Sequence, residues 1–258
     1  MRTHGVRFSI IRHAAWAPGL ETPEQWQVWA QSPLPPAPIP SSGEPGVRLM
    51  APLLRRRAGQ LGKMALETAY ACLGEQRDIP LVFCSRHGEV GRAVELLSAL
   101  VQGEPLSPTA FGMAVHNASA ALFSIARADH ANQLALAAGA ASIEAALIEA
   151  CSLLADGAAQ VLLLVADCPL PAPFEAFEDC HEQPHAFAWL LQADSAIGGA
   201  QGARFELSWR ARESADAVSA TPASGMPATL AAQRFMLGDA LSYQHAANRQ
   251  QWCWSRLA

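Results

Sequence analysis

The sequence predicts an α/β fold with a mostly parallel central sheet flanked by helices. Residues 161–165 are apolar throughout and short, which fits a strand covered on both faces of a sheet. Ile143, Ala146, Leu147, Ala150, Cys151 and Leu154 recur at helical spacing, with Glu144, Glu149, Ser152 and Asp156 on the opposite face and Gly157 as the stop. Such strand-turn-helix units succeed one another along the chain, and that alternation implies parallel strands joined by crossover helices.

Taken in order, residues 7–15 carry Phe8, Ile10 and Ile11 and end before Pro18-Gly19, a first strand and its turn. Thr22-Pro23-Glu24 has helix-capping character ahead of Trp26 and Trp29. Residues 32–46 hold six prolines and read as a loop. A long helix over residues 52–73 places Leu54, Leu61, Met64, Ala65 and Cys72 on one side, and the Arg55-Arg56-Arg57 run reads as a solvated face. Residues 79–84 form a strand that leads through Ser85-Arg86-His87-Gly88-Glu89 into a helix ending near Leu100.

Ser107-Pro108 opens a turn before Phe111, Val115, Ala118 and Leu122, whose spacing predicts a largely buried helix with Met113 and Phe123 beside it. Residues 133–138 make a short strand that ends at Gly139, which places Ala140, Ala141 and Ser142 on a strand-to-helix turn. After Asp167 a proline-rich exit leads to strands over residues 186–191 and 205–209, a loop over 214–227, a final helix over 236–247 and an aromatic patch at Trp252-Cys253-Trp254.

About half of the 258 residues are apolar, 16% are charged and the net charge is −5 without a dense basic block. Binding to nucleic acid by phosphate neutralisation is not expected. No apolar run approaches the roughly 20 residues that span a bilayer, and the N-terminus lacks a signal-peptide core, so a cytoplasmic protein is expected. Cys72, Cys84, Cys151, Cys168, Cys180 and Cys253 form no CxxC pair and read as reduced thiols.

Several groups invite a catalytic reading. His116 and Asn117 have no nucleophile next to them and read as a buried or interface polar pair. Cys84 and His87 are close in sequence, but side chains at a strand end alternate between faces, so proximity alone does not make a Cys/His dyad. Asp179, Cys180, His181 and His185 have loose metal-ligand spacing without a defined set of four. Ser142 has no evident base, and no phosphate-binding glycine motif occurs. No cofactor and no metal are expected.

Residues 107–157 resemble the active-site half of the β-ketoacyl synthase (ketosynthase) family. That pattern runs Ser-Pro, a helix with Val-x-Asn, a strand, a nucleophilic Cys, a helix and a Gly before a buried strand. Ser107-Pro108, Asn117 and Gly157 fall into its register without a gap, and the nucleophile's place, 23 residues after Asn117 and 17 before Gly157, is Ala140. A methyl group carries no acyl chain. Active ketosynthases also have a second half with two decarboxylating histidines, for which the 118 residues after Ala140 offer no recognisable motif.

The resemblance implies a truncated thiolase-like fold corresponding to the ketosynthase N-terminal half. It implies one ketosynthase-like domain over residues 1–258, with a core at about 8–195 and a C-terminal extension at 196–258. The Ala140 substitution and the Asp167…Pro169 pair look like the short chain-length-factor-like subunits found with aryl polyene type II polyketide systems. Its implied partners are an active ketosynthase, as a heterodimer, and an acyl carrier protein reached through that complex, in polyketide or fatty-acid-like synthesis. Gln133, Leu134, Ala135, Leu136, Ala137 and Ala138 would form the dimer strand. Ala110, Phe111, Met113, Ala114, His116 and Asn117 would face the partner or its acyl tunnel. The competing expectations are an independent acyltransferase or hydrolase using Ser142 or Cys84, and a carrier-protein docking module.

Overall fold

The computed structural model describes residues 4–32, 43–194, 202–212 and 225–258, and most of the proline-rich segment and of the 214–227 loop lies outside them. Eight strands, β1 (His4–Trp16), β2 (Leu81–Cys84), β3 (Gln133–Leu136), β4 (Val161–Asp167), β5 (His185–Ala193), β6 (Ala203–Ala211), β7 (Ser242–Ala247) and β8 (Gln250–Arg256), share one sheet in the order β3-β2-β4-β5-β1-β6-β8-β7. The helices are α1 (Pro23–Gln31), α2 (Pro52–Arg55), α3 (Gln60–Leu73), α4 (Val90–Val101), α5 (Pro108–Gly112), α6 (Ala118–Arg127), α7 (Ser142–Ala155) and α8 (Ala228–Leu237).

The expectation of a mostly parallel sheet is corrected. Only β2 with β3 and β2 with β4 run parallel, while the other five pairings are antiparallel. Parallel neighbours need a long crossover, and α4 to α6 supply one from β2 to β3 and α7 one from β3 to β4. The β7–β8 link is the tight Asn248-Arg249 turn, with φ of 52° and 62°, and it gives an antiparallel pair. The expected helix over 236–247 is likewise two elements. Gly238 ends α8, its N–H capping Arg234 O, and β7 begins four residues later.

Period-two alternation divides the central strands between two cores. Val161, Leu163, Val165, Phe187, Trp189 and Leu191 face α7 and α8, while Leu162, Leu164, Ala166, Ala186, Ala188 and Leu190 face the side of α3 and α6. In β5 the aromatic Phe187 and Trp189 take one face and Ala186 and Ala188 the other, where α3 lies with Met64, Ala65 and Leu66 fully buried. Thr22 caps α1 with both bonds of a capping box, as the Thr-Pro-Glu signal indicates. Trp26 and Trp29 then pack edge to face at 5.0 Å beneath Leu230.

Two long helices inferred from spacing are each interrupted. Residues 52–73 divide at Gly59, where an added Cβ would lie 2.9 Å from Arg92 Nη2. Residues 108–127 divide between Gly112 and Ala118 because His116 Nε2 is held on Ser85 O at 2.9 Å, with its ring edge-on to Phe83. Glu144, placed by spacing on the polar face of α7, is instead fully buried.

Candidate partner-binding site

β3 is an edge strand with β2 on one side only. Leu81 N–H donates to Asn132 O and Ser85 N–H to Leu136 O. Strand alternation therefore turns the backbone groups of Asn132, Leu134 and Leu136 toward β2 and those of Gln133, Ala135 and Ala137 outward. Leu134, Ala135 and Ala137 are exposed, so this edge offers an apolar surface together with free donors and acceptors. Ala138 N–H turns back to Ser142 Oγ at 2.9 Å and ends the strand.

Of the helical residues expected at the partner side, His116 and Asn117 lie next to this edge. His116 and Asn117 form one wall, and Ala135, Leu136 and Ala137 the other, of an open hollow of about 410 Å³. Asn117 sits at the N-cap of α6 and is exposed, and His116 is half-buried against Phe83. The predicted burial of Phe111 and Val115 is corrected: Phe111 is 69% exposed and Val115 47%, because α5 stands off the core that holds Ala118 and Leu122. Met113 packs half-buried against that core, and Ala110 and Ala114 are half-buried.

Sequence reasoning passed over α4. Val90, Val94, Leu97 and Val101 recur at i, i+4, i+7 and i+11, yet no residue of the helix is buried and Leu97, Leu100 and Val101 are exposed. α4 packs against α5, so the apolar surface continues through Phe111. An apolar stripe at helical spacing was the available signal, and its meaning turned on burial, which spacing does not report.

Ala140 lies in the 3-10 turn Gly139–Ala141, directly before the first turn of α7, with Gly139 at φ 55°. This is the strand-to-helix turn the sequence indicates, and its exposed chemistry is a methyl group. Ser142 Oγ is tied into the turn, donating to Gly139 O at 2.7 Å and accepting from Ala138 N–H. With its proton held by Gly139 O and its side chain buried, it is not presented to a substrate. Burial, with the Asp167 and Glu144 charges, pushes the Cys84 thiol well above its usual range, so no thiolate forms there near neutral pH.

A second concentration of polar residues lies at the carboxyl ends of β2 and β4, where α/β sheets commonly bind ligands. Here most of the groups are spent on one another, with Asp167 Oδ2 and Arg86 Nε left without a hydrogen-bond partner. Asp167 accepts from Ser85 Oγ at 3.0 Å and from Arg86 N–H at 2.7 Å. Arg86 donates to Asp179 and Glu182, and Glu182 also meets His87 Nε2 at 2.7 Å and Leu170 N–H at 3.1 Å. Burial works against the Arg86 charge, but the Asp179 hydrogen bond and the neighbouring charges outweigh it and raise its pKa. Cys84 and His87 do not meet: the imidazole bonds Glu182 while the thiol is in the core. Cys180 is held by Arg86 and His185 by Thr229 and Gln183, and among the described residues no three metal-ligating side chains converge.

Among the described residues no helix is long and apolar enough to cross a membrane. No curated protein matches the sequence. A chain from the complex of the ketosynthase ApeO with its chain length factor ApeC, from Xenorhabdus doucetiae, superposes with a TM-score of 0.82 at 24% identity, covering 97% of this chain and 100% of that one. A β-ketoacyl synthase from Burkholderia phymatum STM815 gives 0.61 at 13% identity over 80% of this chain and 64% of that one. The ishigamide ketosynthase/chain length factor gives 0.50 at 15% identity over 74% and 59%. These likenesses establish a thiolase-like fold. The family model described as the N-terminal domain of β-ketoacyl synthase matches residues 26–255, and the chain belongs to that family.

Proposed function

We propose that this chain is a non-catalytic, chain-length-factor-like partner that joins an active β-ketoacyl synthase edge to edge through β3 and helps to wall its acyl tunnel. The observation that carries this reading is the apolar, half-paired edge of β3, which leads into a strand-to-helix turn whose Ala140 has no nucleophilic atom. An open apolar edge is a liability until another strand covers it. The ketosynthase and chain length factor complexes among the structural neighbours favour a ketosynthase as that strand's owner, in polyketide synthesis of the aryl polyene kind. Acyl carrier protein would reach the pair through the active subunit.

The test is co-expression with an active ketosynthase followed by size exclusion, where a 1:1 complex is expected. Purified alone and offered an acyl thioester, the chain is expected to show no covalent adduct by intact mass. An adduct that disappears in Ser142→Ala or Cys84→Ala would replace this reading with that of an independent acyltransferase.

Product length gives a finer test. Phe111 is exposed in the free chain, so Phe111→Ala is expected to change stability by no more than about 0.5 kcal/mol. If its ring ends the tunnel, the heterodimer releases longer products at unchanged initiation. An unchanged product mass profile at equal amounts of folded complex would remove Phe111 from the wall.

A further inference from the structure

Hydrogen bonds from the far end of the chain converge on the last residues of β3. Asn248, at the tip of the β7–β8 hairpin, donates Nδ2–H to Ala138 O at 2.8 Å. His245 Nδ1 and Trp254 Nε1, on the two strands of the same hairpin, both donate to Glu144 Oε1, at 2.9 and 3.3 Å. Glu144 is fully buried in the first turn of α7, and its Oε2 has no hydrogen-bond partner. Trp252, Trp254 and Ala247 complete the contact by packing in the core that contains Ile143 and Leu147.

A buried carboxylate held only by uncharged-type donors and one imidazole is a costly way to fasten a hairpin that already buries two tryptophans. What such a group adds over apolar packing is direction, because each bond fixes an angle as well as a distance. The bonds flank residues 138–144, the segment in which β3 ends and α7 begins. β3 itself has only four residues and one neighbour, which leaves its free side exposed to fraying.

We infer that the β7–β8 hairpin is a latch on β3, with Asn248 and the His245–Glu144 pair as positioning residues that hold Ala135 and Ala137 in line for a partner strand. The inference rests on the reading of β3 as the pairing edge. It gives residues 242–256 a task in positioning β3.

Asn248→Gly isolates the latch from the turn. Glycine suits the positive φ of 52° at this position, so the hairpin is kept while the amide donor is lost. Asn248→Asp is the second variant, matching the shape but setting a carboxylate against the Ala138 carbonyl. In both, amide hydrogen exchange at Leu134, Leu136 and Ala138, whose N–H groups are bonded, is expected to speed up roughly two- to tenfold, the range set by one net hydrogen bond, with β4 amides unchanged. Association with the co-expressed ketosynthase is expected to weaken by a similar factor. Faster exchange with unaltered association supports the latch and removes β3 as the pairing edge. Unaltered exchange and association in both variants overturn the latch, and leave the pairing reading to stand or fall on substitutions within β3.

Discussion

Ala135→Pro is expected to abolish co-purification with an active ketosynthase while the chain itself stays folded. The backbone N–H of Ala135 points away from β2, so proline removes no hydrogen bond from the existing ladder. It removes a donor that an added strand requires and sets a ring against the approaching backbone. The preceding Leu134 is already extended, as a residue before proline must be. Leu136→Pro is the instructive contrast. Its N–H belongs to the β2 ladder, and losing it from a strand of four residues is expected to release β3 and lower the urea midpoint. Size exclusion of the co-expressed pair, with urea unfolding of each variant alone, separates the two effects. A 1:1 complex surviving Ala135→Pro would move the interface off β3.

Glu182→Gln is expected to cost about 3 kcal/mol of stability, without any substrate or partner present. The side chains of Arg86 and Glu182 are 8% and 6% exposed, so the substitution leaves a guanidinium in a site that no longer neutralises it. Asp179 still holds Nη2, which places the loss at the lower end for a broken buried pair. The paired change Arg86→Met with Glu182→Leu removes both charges and is expected to recover most of the loss. Urea unfolding measures both. A loss below about 1 kcal/mol for Glu182→Gln would mean that water screens the pair as it does at a surface.

The strands at the centre of the sheet were legible in the sequence because burial on both faces leaves only apolar residues, as in residues 161–165 and 186–191. The direction of pairing was not. Strand composition does not encode orientation, which had to be read from the pairings themselves. The turn before α7 was legible from Gly139, and the methyl at Ala140 from the family pattern. Phe111 and Val115 misled because periodicity marks a face without saying what covers it. His245 and Asn248 gave no signal, and Trp254 only as part of an aromatic patch, since their partners Glu144 and Ala138 lie over 100 residues away.

The sheet has two open margins, and they differ. At one, β3 is four residues long and displays Leu134 and Ala135; at the other, β7 exposes Ser242, Gln244 and Ala246. Were both margins adhesive, each copy could accept another on either side, and strand addition would propagate into a fibre as head-to-tail contacts do. With a single adhesive margin, the first strand that docks also ends the growth. Under the pairing proposed through β3, a count of two subunits would follow from the unlike borders of one sheet, and β7 is the place where an apolar substitution would turn a closed pair into an open polymer.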